Sequence, residues 1–411
     1  MSAKGALSDV KVAAFEWVVV GPLATSYLGD HGATVVKVES HIRPDSGRFI
    51  GPFYGGQADP DRSGFFSHQN TSKYSVTINL KNPRGRDLAL QLVKWADVVL
   101  ENMAPGVMKG LGLGYDDAKA VNPGIVYLSM SLQGQSGPRH QLAGFGQLAA
   151  ALSGCTHLSG WPDRGPAPCH GAYADFVAAH FAPSMILAAL DYRRRTGKGQ
   201  FIDVSMTESL GYFFSVPVMD YVINGRVWNR VGNRHASMCP HGVFRCKGED
   251  RWIAVAISTD AEWLAFCKAL GNDEWKADSR FSTFQARKAN ESELERLIEE
   301  WTGGRMAEDI EALLQKAAVP AGVVESTADL FSDPQLAYRG ALRQLSHPAA
   351  GTITRASPAT KFSTIADVQF PGPSLGQHNA FVLKEVLRLT DDDIADLYAE
   401  GAVTTEADFP F

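Results

Sequence analysis

Residues able to do chemistry are few and scattered in this 411-residue chain. The five cysteines are Cys155, Cys169, Cys239, Cys246 and Cys267. Their number is odd, and their spacings match no zinc or Cys-x-x-Cys redox set, so no metal site is expected. They read as reduced thiols of a cytoplasmic protein, most simply buried and inert. No Gly-x-Gly-x-x-Gly, Walker phosphate loop, Gly-x-Ser-x-Gly or His-Glu-x-x-His occurs. That argues against a dehydrogenase, an ATPase, an ordinary serine hydrolase and a zinc peptidase. Gly110, Gly112 and Gly114 read as a turn. One carboxylate, Asp175 in Ala172-Tyr173-Ala174-Asp175-Phe176, stands just before a long helical pattern. By residue type alone it reads as the N-cap of that helix, accepting bonds from first-turn amides.

The elements that must position such groups alternate in type. Strands are predicted over residues 10–15, 34–38, 74–80, 96–100, 125–131 and 200–206. Helices are predicted over 23–31, 83–95 and 176–195. Arg193, Arg194 and Arg195 suit the negative end of the last helix, and Gly197 stops it. Strand, helix, strand in this order predicts a parallel sheet covered by helices. Ligands of such sheets bind beyond the carboxyl ends of strands, here residues 18–20, Glu39, Asn102 and Ser131. After about residue 225 the character changes. A Gly/Pro/His/Asn-rich loop covers 233–242, and a hairpin turns at residues 248–250. Helices follow over 261–270, 292–301 and 307–318, making a smaller α+β unit. Further helices are predicted over 380–387 and 391–399.

Composition is that of a globular protein, 45% hydrophobic and 20% charged, with formal net charge −6. No basic stripe stands out, so no nucleic-acid partner is expected. The longest apolar stretches, such as 181–190, are shorter than a membrane span, and the first fifteen residues lack signal-peptide features. A cytoplasmic enzyme with no membrane partner is the expectation.

Many blocks, in order and nearly end to end, carry a resemblance. They include Gly21-Pro22, Leu28-Gly29-Asp30-His31-Gly32-Ala33, Val36-Lys37-Val38-Glu39 and Asp45 with Arg48. Asn70 with Lys73, Ala96-Asp97-Val98, Glu101-Asn102 and Pro105-Gly106 continue the series. Arg195-Thr196-Gly197-Lys198-Gly199-Gln200 and Leu375-Gly376-Gln377-His378 complete it. The chain resembles the class III CoA-transferases, which include formyl-CoA, carnitine and benzylsuccinate CoA-transferases. It departs from them at Tyr74, where an arginine is usual.

The resemblance implies an α/β fold with a large Rossmann-like domain formed by both chain ends, residues 1–210 and 325–411. A small domain at 228–310 and linkers at 211–227 and 311–324 are implied, as is an interlocked dimer. The partner would be a second copy or a paralogous subunit.

The resemblance also implies that Asp175 is the nucleophile. Its carboxylate would attack a thioester to give a mixed anhydride, which keeps enough energy to activate a second acid. Backbone amides of 134–137 or 233–242 would meet the oxyanion. CoA enters as a substrate, with no tightly bound cofactor. It would meet Val18, Val19 and Val20 through their backbone, and Ile78, Leu80, Lys81, Asn102, Met103 and Ala104 along adenine and pantetheine. Ser40 and Gly110 stand where basic residues are usual, so Lys109, Arg43 or His41 would take the phosphates. Trp17, Gln133 and Phe145, with Phe65, Phe66 and Tyr173, would surround the acyl group, and Arg48 or Arg139 would bind a second carboxylate. Succinyl-CoA is the expected donor. Arg43-Pro44-Asp45 and Asp61-Arg62-Ser63-Gly64-Phe65-Phe66 resemble the benzylsuccinate branch.

Two alternatives share the fold. An α-methylacyl-CoA racemase needs a second acid-base group, a histidine in Gly-His-Asp, where this chain has Gly144-Phe145-Gly146 with His140 nearby. A non-catalytic subunit of a hetero-oligomer would not need Asp175.

Overall fold

The computed structural model describes residues 5–169, 171–365 and 368–409. Residues 1–4, 170, 366, 367, 410 and 411, which the expected domain ranges include, lie outside the described residues. The chain divides into two compact units. The first holds 1–156, 168–227 and 338–411, and the second holds 157–167 and 228–337.

The first unit is built on a six-stranded parallel sheet in the order β3-β2-β1-β4-β5-β6. The strands are β1 (Lys11–Phe15), β2 (Thr34–Glu39), β3 (Lys73–Thr77), β4 (Val98–Glu101), β5 (Val126–Ser131) and β6 (Gln200–Ser205). In register, Val12 lies beside Val35 and Val98, and Leu100 beside Leu128. β1, β2, β4 and β5 are buried almost throughout, as strands covered on both faces must be. Their side chains feed two apolar clusters. One holds Val12, Val35, Leu100 and Leu128. The other holds Phe15, Val36, Val99 and Tyr127.

The helices that matter for the site are α1 (Val20–Asp30), α2 (Pro83–Trp95), α3 (Gly146–Leu152), α4 (Tyr173–Thr196) and α5 (Ser215–Asn224). Asn82 caps α2 by accepting from Arg84 and Gly85 amides, with Pro83 in the first turn. Helix α4 has 24 residues and is long and apolar enough to cross a membrane by length and composition. The expectation that no stretch is so long is corrected here. Its Ala174, Ala178, Ala182, Ile186 and Leu190 are nonetheless buried in the first unit's core. Strand order reverses between β1 and β4, and this switch point is where doubly wound sheets open a ligand crevice.

The second unit packs a three-stranded antiparallel sheet, β7 (His241–Arg245), β8 (Trp252–Ala256) and β9 (Ala321–Val323). Against it lie α6 (Asp260–Leu270), α7 (Glu291–Thr302) and α8 (Ala307–Lys316), around Trp263, Phe266, Leu294 and Ile310. Two expected linkers are corrected. Residues 311–324 hold most of α8 and all of β9, inside the second unit. Residues 211–227 are largely helical, because α5 occupies them.

Candidate active site

Asp175 is not the N-cap of its helix. Ala172 occupies that place with no side-chain bond to the first turn, and Tyr173 and Ala174 are already helical. Asp175 is the third helical residue, its amide donating to the Ala172 carbonyl at 2.9 Å. Helix α4 leads through Gly197 into the start of β6, so its own start lies at the opposite, carboxyl edge of the sheet. The carboxylate is therefore carried to the edge where ligands bind.

Its Oδ2 is buried and accepts no hydrogen bond among the described residues. Burial raises the carboxyl pKa to about 6, against the pull of the Asp175 and Gly146 amides. Gly146, the first residue of α3, makes this placement possible: a Cβ there would overlap Oδ2. A desolvated carboxylate with one unpartnered oxygen is a better nucleophile than a solvated one.

The loop after β1 is held from two sides. Asn102, just beyond β4, accepts from the Trp17 amide at 2.8 Å and donates to the Trp17 carbonyl at 2.9 Å. Asp45 Oδ1 accepts from the Val18 amide at 2.9 Å, fixing Val18 at φ 65°, a strained value for a β-branched residue. Asp45 is in turn paired with Lys37 at 2.9 Å, and Lys37 donates to the Glu16 carbonyl at 2.7 Å. Glu16 pairs with Lys73 at 2.6 Å and accepts from Thr25. Glu16, Lys37, Asp45 and Lys73 are all fully buried. Burial pulls Lys73 down to about 8 although Glu16 opposes it.

Arg48 belongs to this scaffold. Its guanidinium donates to both oxygens of Glu39 at 2.9 and 2.8 Å, to Asp61 at 2.8 Å, and stacks on Phe66 at 3.7 Å. Burial would push the Glu39 carboxyl up, but Arg48 outweighs it and holds the group at about 2. With these donors spent and no exposed surface, Arg48 cannot meet a substrate carboxylate, and that expectation is corrected. Arg139 stays exposed.

Residue reasoning missed a second set of ties, at the ends of β4, β5 and β6. Glu101 accepts from the Met103 amide at 2.7 Å and from the Ser129 hydroxyl in a short bond. Gln135 donates its side-chain amide to Ser129 at 2.7 Å and its backbone amide to Asp203 at 3.0 Å. Burial lifts the Glu101 carboxyl to about 7. The available signal was an apolar strand ending in a carboxylate. Gln133 is tied to Thr207 at 3.0 Å.

Other expected contacts lie where their burial dictates. Val19 and Val20 are buried at the start of α1, and the Val19 carbonyl accepts from Leu23. Ile78 is core, only 1% exposed, so it could offer a ligand backbone alone. Leu80 is half-buried, while Lys81, Ala104 and Lys109 are exposed. Met103 packs on the second apolar cluster. Arg43 stacks on the Trp17 ring at 4.8 Å. Phe145 is 80% exposed and Phe66 is buried under Arg48, so neither joins an aromatic pocket within the described residues of this chain. Phe65 does. It lines a cavity of about 420 Å³ with Pro52, Phe53, Tyr54, Gly64, His68, Gln69 and Phe176, the residue after Asp175. Burial, aided by Arg355, holds the His68 imidazole down to about 4, so it is neutral.

The chain is similar to known proteins in three comparisons. The sequence pattern described as CoA-transferase family III matches residues 7–379. A succinyl-CoA–D-citramalate CoA-transferase of Chloroflexus aurantiacus is 32% identical over 97% of this chain and 98% of its own. A succinyl-CoA:glutarate CoA-transferase of Mus musculus is 33% identical over 97% of this chain and 90% of its own. A solved CAIB/BAIF family protein from Brucella suis superposes with a TM-score of 0.85 at 32% identity, covering 93% of this chain and 100% of that one.

Proposed function

The chain belongs to CoA-transferase family III, and we propose that it moves CoA from succinyl-CoA to a second carboxylic acid through covalent intermediates on Asp175. The observation that carries this reading is the buried, unpartnered Oδ2 of Asp175 fitted against Gly146. The ionised carboxylate attacks the thioester carbonyl, the C–S bond breaks, and CoA leaves as its thiolate, giving a mixed anhydride. The thiolate then attacks the aspartyl carbonyl, succinate leaves, and an aspartyl-CoA thioester remains. The acceptor carboxylate attacks that thioester, and the returning thiolate takes the new acyl group and frees Asp175. Each step exchanges one activated carbonyl for another, so no ATP is needed. The Gln135 amide is spent on Asp203, so the other backbone amides of 134–137 are the preferred oxyanion donors, on a loop that Gln135 fixes through Asp203 and Ser129.

The loops after β1 and β4 would take CoA, with backbone groups of Trp17 to Val19 and of Asn102 to Ala104 along pantetheine. Lys109 and Arg43 are exposed cations suited to its phosphates. The cavity beside Phe176 suits an acid with a bulky, aromatic or branched tail, benzylsuccinate among the candidates. The names of the two curated relatives support succinyl-CoA as donor. The reaction is assigned to the cytoplasm. A racemase would need an imidazole opposite Asp175, and Phe145 cannot transfer a proton.

The test is succinate release from succinyl-CoA against a panel of mono-, di- and hydroxy-dicarboxylic acids, with acyl-CoA products identified by mass. Formation of one new acyl-CoA in step with succinate supports the reading. Consumption of succinyl-CoA only by hydrolysis, whatever the acid, contradicts it.

A further inference from the structure

We propose that Cys155 and Cys169 are a peroxide-sensitive thiol pair whose oxidation to a disulfide slows transfer at Asp175; the activity half of this rests on the function proposed above. Their sulfurs lie 3.5 Å apart. Cys155 is buried at the start of a short turn of helix, Cys155–Leu158, and Cys169 packs on the same apolar cluster while keeping partial exposure. The chain between them, residues 157–167, is counted with the second unit. The pair therefore marks the two points where the chain leaves the first unit and returns.

A disulfide bond is about 2.05 Å long, so the sulfurs must approach by roughly 1.5 Å. Gly154 at φ 88° before Cys155 and Gly171 at φ 64° after Cys169 give the backbone room to do so. The chemistry balances with a peroxide as oxidant. The partly exposed Cys169 thiolate attacks one peroxide oxygen, the O–O bond breaks, and hydroxide leaves to become water, giving a sulfenic acid. The Cys155 sulfur then attacks the Cys169 sulfur and expels a second hydroxide, which takes up a proton as water. Two thiols and one peroxide become one disulfide and two waters.

The consequence reaches the nucleophile along the backbone. Cys169 precedes Ala172, the N-cap of α4, whose carbonyl holds the Asp175 amide. The carboxylate has no slack, since even a methyl group at Gly146 would overlap it.

The full chain is titrated with hydrogen peroxide, then read by non-reducing peptide mass spectrometry and by transfer rate. The Cys155 and Cys169 peptides should appear joined with loss of two hydrogens. The rate should fall roughly tenfold or more, because misplacing a reacting group by about 1 Å has effects of this size. A thiol reductant should restore it. Cys169→Ser and, as a second variant, Cys155→Ala should keep their rate and resist peroxide. An active enzyme that forms no Cys155–Cys169 link overturns the inference, as does a linked enzyme with an unchanged rate. Equal peroxide inactivation of both variants does so too. A protein that forms the link but transfers nothing, reduced or oxidised, overturns the function and this activity arm while leaving the thiol pair established.

Discussion

Asp175 shows how burial and a missing partner act together on one carboxylate. Desolvation disfavours its charge, and the nearby amides recover only part of the loss, so the group titrates at about 6. In the mechanism proposed above the nucleophile is the ionised form. Hence kcat/KM should fall as pH drops through about 6, approaching a tenfold loss per unit below it. A raised pKa means that the folded protein holds the proton more tightly than the unfolded chain. The favourable contribution is complete below about 4, the unfolded carboxylate range, and is lost as pH rises through about 6. At neutral pH Asp175 therefore costs stability. Asp175→Asn should lower the transfer rate by on the order of a thousandfold or more, and thermal unfolding at pH 7 should show a Tm equal to or above that of the parent. A large drop in Tm would mean that the carboxylate serves the fold. Arg48 makes the opposite case. Its partners Glu39 and Asp61 are both carboxylates, and the sequence could not show that they face it rather than the solvent.

At the scale of elements, the site depends on helix α3 starting hard against helix α4. Gly146→Ala should remove most activity, because the added methyl must push either the carboxylate or the start of α3 aside. A rate within about twofold of the parent, too small a change for a displaced nucleophile, would show that the fit is loose. Many elements were legible. The helix predicted at 83–95 is Pro83–Trp95, because its cap, proline and apolar period agree. The strands at β2 and β5 are recovered within a residue, β2 because its run is β-branched and β5 because Pro123-Gly124 breaks the chain just before it. The start of α4 was misjudged because Ala172 ends the extended chain without a side-chain cap, a geometry that residue type does not announce. Asn102 was legible as a strand-end residue, but its grip on the Trp17 backbone was not. A register between β1 and β4 sets that contact, across 85 positions of sequence.

For the whole molecule, the resemblance supplied what periodicity could not: which carboxylate among many to propose as the nucleophile, and that both chain ends build one unit. The domain limits failed where helix and strand of the second unit were taken for connections. Helix α5 and its approach leave Tyr212, Phe213, Val218, Tyr221, Val222 and Ile223 exposed, an apolar stretch of the kind that marks interaction sites. This supports a dimer built on that face, and sedimentation of the purified chain should return twice its monomer mass. A monomer would contradict that reading, and recovery only with a paralogous chain would make the dimer a mixed one.

The central claim is that CoA passes through a covalent bond to Asp175. Its most direct test is mass spectrometry of the protein after incubation with succinyl-CoA and hydroxylamine, which intercepts aspartyl anhydrides and thioesters as a hydroxamate. The account predicts a hydroxamate on the peptide holding Asp175, absent without acyl-CoA. A protein that turns over succinyl-CoA yet leaves Asp175 unmodified would contradict it.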